Sequence, residues 1–202
     1  MKHPSTRAVF EYWDKRRGSR PAPERGDIDP TDIRHALGDT FMLAADFVDQ
    51  LRFRLAGTRV CALFCREIKG EAFADLWDEA SRKAVDELMT VVNGENAGVV
   101  GGIVAHTEEG ATAELELLLL PLAHSGHARI RALGVLAPSV VPYWLGAQPV
   151  VDLDLVTVRH IGPEQQGGAF PRFGRTPAVS RLRHGFVVYS GGRESPPGER
   201  TG

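Results

Sequence analysis

The stretch QLRFRLAGTRVCALFCREIKGEAFADL, residues 50–76, decides the predicted fold. Its opening residues alternate apolar side chains with arginines, which is the pattern of a β-strand with one face in water. Gly57 ends this strand, and a short helix is expected over residues 59–64. Gly70 marks a turn in the mixed segment that follows. The stretch therefore predicts a domain that contains both strands and short helices.

Upstream of this stretch the sequence predicts two helices and a second strand. Residues 5–17 show helical spacing, and Asp29 with Pro30 fits the start of a short helix that ends at Gly38. Residues 40–47 are largely apolar and predict a central strand. A corner at Asp49 then joins the two strands as an antiparallel hairpin.

Downstream, a longer helix is expected over residues 78–93. Its apolar face is expected to hold Ala80, Ala84, Leu88 and Val91. Three strands separated by turns are expected next, over residues 97–107, 113–122 and 128–137. Residues 142–146 predict a cap or turn, and residues 152–160 predict either one more strand or a docking segment.

Runs of strands interrupted by a cluster of helices predict an α+β fold. The expected core is a five-stranded antiparallel sheet with a helical cluster on one face and an N-terminal helix. Residues 1–27 would form that helix and a connector, and residues 28–160 the domain. Residues 161–202 are rich in glycine, proline and arginine, which predicts a flexible basic tail with one apolar patch at Phe186–Tyr189.

Composition narrows the class of protein. The 202 residues are 43% hydrophobic and 25% charged, as expected for a soluble protein with a sizeable core. A net charge of -2 gives no global attraction to nucleic acid or to an anionic membrane. Two cysteines are too few for a secreted disulfide scaffold. With no apolar leader and no run long enough to span a bilayer, a cytoplasmic location is expected.

Three segments resemble the signature of PAS domains, in which a strand leads to a short helix, an Arg-Glu turn and a Phe-x-Asp-Leu segment: residues 53–58, 63–70 and 73–76. Residues 27–30 and Tyr12-Trp13 resemble a narrower group, the small single-domain PAS-like proteins of alphaproteobacteria. The resemblance covers residues 5–160 and implies a PAS-like fold. It also implies a non-catalytic sensory or regulatory module that binds a small ligand or a signalling protein partner. A shared fold assigns no site, so sites are argued from residues.

An apolar pocket on the inner face of the sheet is the first candidate site. The residues expected to surround it are Phe41, Leu43, Phe53, Leu55, Phe64, Trp77, Leu88, Gly102, Val104, Leu117 and Val135. Gly101 and Gly102 lack side chains and would leave room for a ligand. The alternative is that these residues simply fill the core.

An apolar stripe on the N-terminal helix is the second candidate. Val9, Tyr12 and Trp13 predict the contact surface of a homodimer, because an exposed aromatic stripe marks an interface. The alternative is packing on the chain's own sheet. A structural or scaffolding dimer without any ligand is the alternative function.

The sequence gives little support for haem or flavin, two cofactors known from PAS domains. Residues 58–94 contain no histidine, so haem would need Cys61 or Cys65 as its axial ligand. PAS relatives that form a flavin adduct carry a cysteine in an Asn-Cys-Arg-Phe-type motif, and the corresponding residues 68–73 have none. The two cysteines lie four apart on one helix face, where a disulfide is disfavoured. They are therefore interpreted as two small buried hydrophobic residues.

Metal binding and catalysis are also disfavoured. His124, His127 and His106 are candidate ligands, but the first two flank a predicted turn. The sequence contains no Gly-x-Ser-x-Gly elbow, P-loop or His-Glu-x-x-His motif. Glu114 and Glu116 fit the wet face of a strand. An enzyme on this fold therefore ranks last.

The basic tail is the remaining candidate surface. Its arginines include Arg172, Arg175, Arg181, Arg183 and Arg193. They could contact nucleic acid, but no recognition helix or aromatic-basic motif accompanies them, so a solubilising role is preferred.

Overall fold

The structure is a computed structural model that describes residues 1–46, 50–94, 96–123, 131–161, 181–183 and 186–188. The α-helices in these residues are α1 (Pro4–Arg17), α2 (Thr58–Leu63) and α3 (Glu79–Gly94). Short 3-10 turns lie at Arg25–Asp27, Pro30–Ile33, Leu37–Asp39 and Phe73–Leu76. The strands are β1 (Thr40–Ala45), β2 (Leu51–Ala56), β3 (Gly98–Thr107), β4 (Thr112–Pro121), β5 (Arg131–Pro138), β6 (Val150–Ile161), β7 (Arg181–Arg183) and β8 (Phe186–Val188).

These strands form a single sheet in the order β2-β1-β5-β4-β3-β6-β8-β7. Every pair is antiparallel except β6 with β8. The predicted α+β fold with an antiparallel sheet and an N-terminal helix is confirmed, but the expected five strands are too few. Strand β6 is the main addition and confirms the strand alternative predicted for residues 152–160: it pairs with β3 along that strand's whole length, from Gly98 to Thr107. The corner at Asp49 lies outside the described residues.

One face of the sheet packs against α2, the turn at residues 73–76 and α3. We call the buried residues of this layer the inner core, and it includes six aromatic side chains: Phe41, Phe53, Phe64, Phe73, Trp77 and Trp144. The buried face of α3 is formed by Val85, Leu88, Met89 and Val92. The predicted face is therefore wrong in part, because Ala80 is exposed.

The opposite face of the sheet is covered by α1 and the connector that follows it. We call the buried residues of this layer the outer core: Val9, Trp13, Ala22, Ile28, Ile33, Ala36, Val100, Leu118, Leu120, Leu122, Leu133, Val135 and Ala137. Strand β4 serves both layers because its side chains alternate between the two faces. The sheet is thus buried on both sides over its centre.

A β-bulge in β2 changes the direction of one predicted side chain. Leu43 pairs with Phe53 and Met42 pairs with Leu55, so Arg54 is the extra residue between them. Leu55 therefore lies on the opposite face from Phe53 and is 47% exposed. Simple alternation over residues 50–56 fails at this point.

The corner between β2 and α2 brings two backbone segments into contact. A Cβ at Gly57 would overlap the carbonyl oxygen of Leu37 and the backbone of Gly38. The Gly57 N–H donates to the Thr40 carbonyl at 2.8 Å. This contact fixes the start of α2 against the start of β1.

No helix in the described part of the chain is long and apolar enough to cross a membrane.

Candidate functional site

The structure brings most of the predicted pocket residues together. Seven of them lie in the inner core: Phe41, Leu43, Phe53, Phe64, Trp77, Leu88 and Leu117. The other four do not join them: Leu55, Gly102, Val104 and Val135. Leu55 is turned outward by the bulge, and Val135 belongs to the outer core. Gly102 and Val104 pair with Glu116 and Glu114, so they face the outer side of the sheet.

Aromatic rings fill the centre of the inner core. The ring of Phe41 lies 5.4 Å from that of Phe53 and 5.8 Å from that of Phe73. Phe73 also packs edge-on against Trp77 at 5.6 Å. One polar atom is left over: Trp77 Nε1 is buried with no acceptor among the described residues. The inner core is therefore packed and apolar, and Trp77 Nε1 is an unused hydrogen-bond donor within it.

Gly101 and Gly102 were expected to leave room for a ligand, but neighbouring side chains fill the space beside them. A Cβ at Gly101 would lie 3.3 Å from Leu155 Cδ1, and one at Gly102 would lie 2.6 Å from Thr157 Oγ1. A Cβ at Gly134 would overlap the ring of Phe41. The predicted space beside Gly101 and Gly102 is wrong, because side chains from β6 occupy it.

Two of the three predicted interface residues lie in the outer core, and Tyr12 packs against it. Val9 and Trp13 are buried against the protein's own sheet, and Trp13 Nε1 donates to the Pro121 carbonyl at 2.8 Å. The Tyr12 hydroxyl accepts from the Asp29 N–H at 2.7 Å. The intramolecular alternative therefore applies to Val9 and Trp13, which present almost no surface to a partner. Dimerisation itself stays a prediction.

A buried carboxylate connects the two layers at one corner of the sheet. Asp39 Oδ1 and Oδ2 accept from Arg59 Nε and Nη2 at 2.6 and 2.7 Å. The Ser5 hydroxyl of α1 donates to Asp39 Oδ2 at 2.6 Å. Burial favours the neutral form of Asp39, but the hydrogen bonds from Arg59 and Ser5 outweigh it and hold the carboxyl pKa below its ordinary value. Asp39 thus ties α1 on the outer face to α2 on the inner face.

A second carboxylate holds the start of α1. Glu116 on β4 accepts from the backbone N–H groups of Lys2 at 2.6 Å and His3 at 3.0 Å. Its burial contradicts the predicted wet strand face, which applies only to Glu114. The N-terminal end of a helix carries unpaired N–H groups and partial positive charge, which explains why a carboxylate is stable there. Glu116 is therefore a structural anchor.

The cysteines differ from each other and from the prediction. Cys61 is half-buried, and Cys65 is exposed, so they are not a buried pair. Cys65 has a φ of 51°, a conformation that α2 cannot continue, so the helix ends before it. Burial raises the pKa of the Cys61 thiol, and neighbouring Glu67 adds to that shift, so the thiolate is disfavoured.

The described residues contain no cluster of three or more histidine, cysteine or carboxylate side chains that could hold a metal. His106 Nε2 instead lies 2.8 Å from Asp154 Oδ2 on the neighbouring strand. His124 and His127 lie outside the described residues, as do the tail arginines Arg172, Arg175 and Arg193. Arg181 and Arg183 lie on β7.

An exposed apolar loop was not foreseen as a site. Residues 139–149, which we call the crossing loop, connect β5 to β6. Val140, Val141 and Tyr143 on it are 80%, 64% and 92% exposed, whereas Trp144 is buried in the inner core. The sequence signal was available, because two valines and a tyrosine surround Pro142, at the start of the segment 142–146 that was predicted as a cap or turn.

An antiparallel sheet that carries a helical cluster on one face and a helix on the other is the arrangement expected for a PAS-type domain. A family described as a PAS domain matches residues 1–137 of the chain. The chain therefore belongs to the PAS domain family, whose members are sensory and regulatory modules. The narrower resemblance to alphaproteobacterial proteins stays a prediction.

Solved structures with a similar fold include the PAS domain of a protein from Colwellia psychrerythraea. The two are 14% identical, with a TM-score of 0.38, over 55% of this chain and 97% of that one. The PAS domain of an HTR-like protein from Haloarcula marismortui is 15% identical, with a TM-score of 0.38, over 54% and 90% of the two chains.

An RNA-binding light-oxygen-voltage receptor is 17% identical, with a TM-score of 0.41, over 57% of this chain and 35% of the receptor. With TM-scores below 0.5, these likenesses assign neither a ligand nor a role to this chain. No curated protein matches the chain.

Proposed function

We propose that this protein is a non-catalytic regulatory module in signal transduction that acts through contact with a protein partner. Membership of the PAS family supports a sensory or regulatory role. The choice of a protein partner over an internal ligand rests on the packed inner core.

The contact between Phe41 and Gly134 carries this choice. The ring occupies the space above the glycine that a side chain would otherwise fill. Phe53 and Phe73 then close around Phe41 at centroid distances of 5.4 and 5.8 Å. Ligand pockets usually span about 300–1,000 Å³, so opening one here would require these rings to separate. Protein interiors resist such separation because they are close-packed.

A small-ligand sensor is the second candidate, and one observation favours it. A buried indole N–H without an acceptor costs about 1–3 kcal/mol, and Trp77 Nε1 is such a group among the described residues. A compact ligand with a single acceptor oxygen would satisfy it. This candidate requires Phe73 or its neighbours to move.

Native mass spectrometry of freshly purified full-length protein tests the two candidates. The partner-only function predicts the mass of the bare polypeptide, as a monomer or a dimer. A small molecule retained by the wild type and lost in Trp77→Phe would reject it and support the ligand sensor. An absorption spectrum of the same sample reports haem or flavin directly.

Homodimerisation and a cytoplasmic location form part of the same proposal. Since Val9 and Trp13 are buried, a dimer would have to use other surfaces. Sedimentation velocity over a range of concentrations measures the association. If the protein stays a monomer at all concentrations, homodimerisation is rejected and the proposed partner must be a different protein.

A further inference from the structure

The crossing loop presents a concentrated apolar surface. Val140, Val141 and Tyr143 are three of its first five residues, and each is more than half exposed. Clustered exposed apolar residues mark interaction sites, and tyrosine is among the residues that contribute most to protein interfaces.

The backbone of the loop is held in place at several points. The Ser139 N–H donates to the Glu114 carbonyl at 2.8 Å, and the Gly146 N–H donates to the Ala62 carbonyl of α2 at 3.1 Å. The Trp144 carbonyl accepts from the N–H groups of residues 147 and 148 at 2.9 and 3.0 Å, and its side chain is anchored in the inner core. A surface that is already ordered loses little entropy on binding.

The loop also lies outside the family match, which ends at residue 137. The loop and β6 are therefore additions that follow the matched part of this chain. Whatever the loop binds need not be a partner of other PAS domains.

The strands that flank the loop carry exposed acidic side chains, whereas α2, which the loop also contacts, carries Arg59 and is followed by Arg66. Glu108 and Glu109 lie at the β3–β4 hairpin, Glu114 lies beside Ser139, and Asp152 lies at the start of β6; all four are exposed. Residues 96–123 and 132–158 contain no lysine or arginine. The apolar loop is thus bordered by acidic strands.

We propose that the crossing loop docks into a partner protein that offers an apolar pocket bordered by lysine and arginine. The inference rests on the proposed function and names the chemistry of the partner. The loop would insert Tyr143 and Val141, and the carboxylates would select the basic border. A symmetric contact between two crossing loops is disfavoured, because it would place like charges opposite each other.

Selection of peptides on the full-length protein tests the proposal. Random 12-residue peptides displayed on phage would be selected on the immobilised wild type and counter-selected on the double variant Val141→Ser, Tyr143→Ser. Both side chains are exposed, so the variant should keep the wild-type circular dichroism and melting temperature. Val156→Ser, at a 51% exposed valine of β6, is the matched control.

The expected peptides combine apolar residues with a net positive charge. They should bind the double variant at least about tenfold more weakly than the wild type and bind Val156→Ser unchanged. A second variant, Glu114→Gln with Asp152→Asn, should also bind the selected peptides more weakly than the wild type does. Added salt should weaken their binding to the wild type. Enriched peptides that bind the double variant equally, or that carry no excess of basic residues, would overturn the proposal.

One occupant within the chain has similar chemistry, since Arg172 and Arg175 alternate with Phe170 and Phe173. A synthetic peptide of residues 164–180 would be added as competitor. Displacement of the selected peptides at comparable affinity would assign the loop to the tail of this protein, in the same or a second copy, and reject a separate partner. Failure of the proposed function is a different result, because it would show as a small molecule in native mass spectrometry.

Discussion

The two layers of this protein use one sheet but differ in how they are held. In the inner core, six aromatic side chains pack closely, and Trp77 Nε1 has no hydrogen-bond acceptor among the described residues. In the outer core, smaller side chains dominate, and α1 is fastened by polar contacts from Glu116, Asp39 and the Pro121 carbonyl. Apolar packing holds both layers, and in the outer layer hydrogen bonds to α1 add to it.

The two layers differ in how easily they can separate from the sheet. Detaching α1 would expose Val9, Trp13 and the sheet surface beneath them and would break a few hydrogen bonds, whereas separating the inner layer would expose six aromatic side chains. Detachment of α1 is therefore the conformational change of lower free energy. A regulatory protein needs an element with two accessible states, and α1 fits that requirement better than α2 or α3.

The largest effect is expected in the inner core. Phe41→Ala removes the ring that occupies the space beside Gly134, and large aromatic truncations of this kind cost about 3–5 kcal/mol. Met42→Ala, at the half-buried neighbour on the other face, is the matched control and should cost less. Urea unfolding measures both free energies. Equal losses would show that the two layers do not differ in packing.

The second-largest loss of stability is expected at Asp39, which connects the two layers. Asp39→Asn replaces the buried carboxylate that Arg59 and Ser5 contact, and we expect a loss of about 2 kcal/mol at neutral pH, because Arg59 remains partly in water.

The same contact sets a pH dependence. The pKa of Asp39 is lowered on folding, so its contribution is complete above the unfolded pKa of about 3.9 and declines as the pH falls below it. Urea unfolding of both proteins from pH 7 to pH 3 should show the wild-type advantage shrinking at the acidic end. A constant difference across this range would contradict the role of the ionised carboxylate.

A smaller effect should be confined to α1. Trp13→Phe removes the hydrogen bond to the Pro121 carbonyl, at a cost of about 1–2 kcal/mol. Hydrogen exchange should accelerate in α1 while β4 keeps its wild-type protection. Equal acceleration in both elements would mean that α1 and the sheet open together.

The smallest effect is expected at Trp77. Phenylalanine removes both some packing volume and the unsatisfied N–H, and the two changes oppose each other. The free energy of unfolding of Trp77→Phe should lie within about 1 kcal/mol of the wild type. A larger loss would indicate that Nε1 has an acceptor, such as a bound molecule.

The sequence predicted the elements better than the directions of their side chains. The strands near residues 40–45, 51–56 and 98–107 follow from apolar runs and turn residues, and all are confirmed. Leu55 could not be placed correctly, because the bulge at Arg54 depends on pairing with β1 and leaves no local pattern.

The candidate site was harder to predict than the fold. An empty space and a filled one require the same apolar residues, so Phe41 and Gly101 could not reveal that the interior is packed. The role of Glu116 depends on where α1 begins to cross the sheet, which alternation along β4 does not encode. The crossing loop was recognisable as apolar, but its exposure follows only from the position of β6.

The close backbone contact at Gly57 restricts which residues can occupy this position. Because the carbonyl of Leu37 occupies the place of a Cβ, even alanine would force two backbone segments apart. A deep mutational scan should find this site intolerant of all nineteen replacements, although Gly57 contributes no side chain to either layer. Intolerance to substitution at position 57 would result from the close approach of two backbone segments, and it would not indicate that Gly57 contacts a ligand.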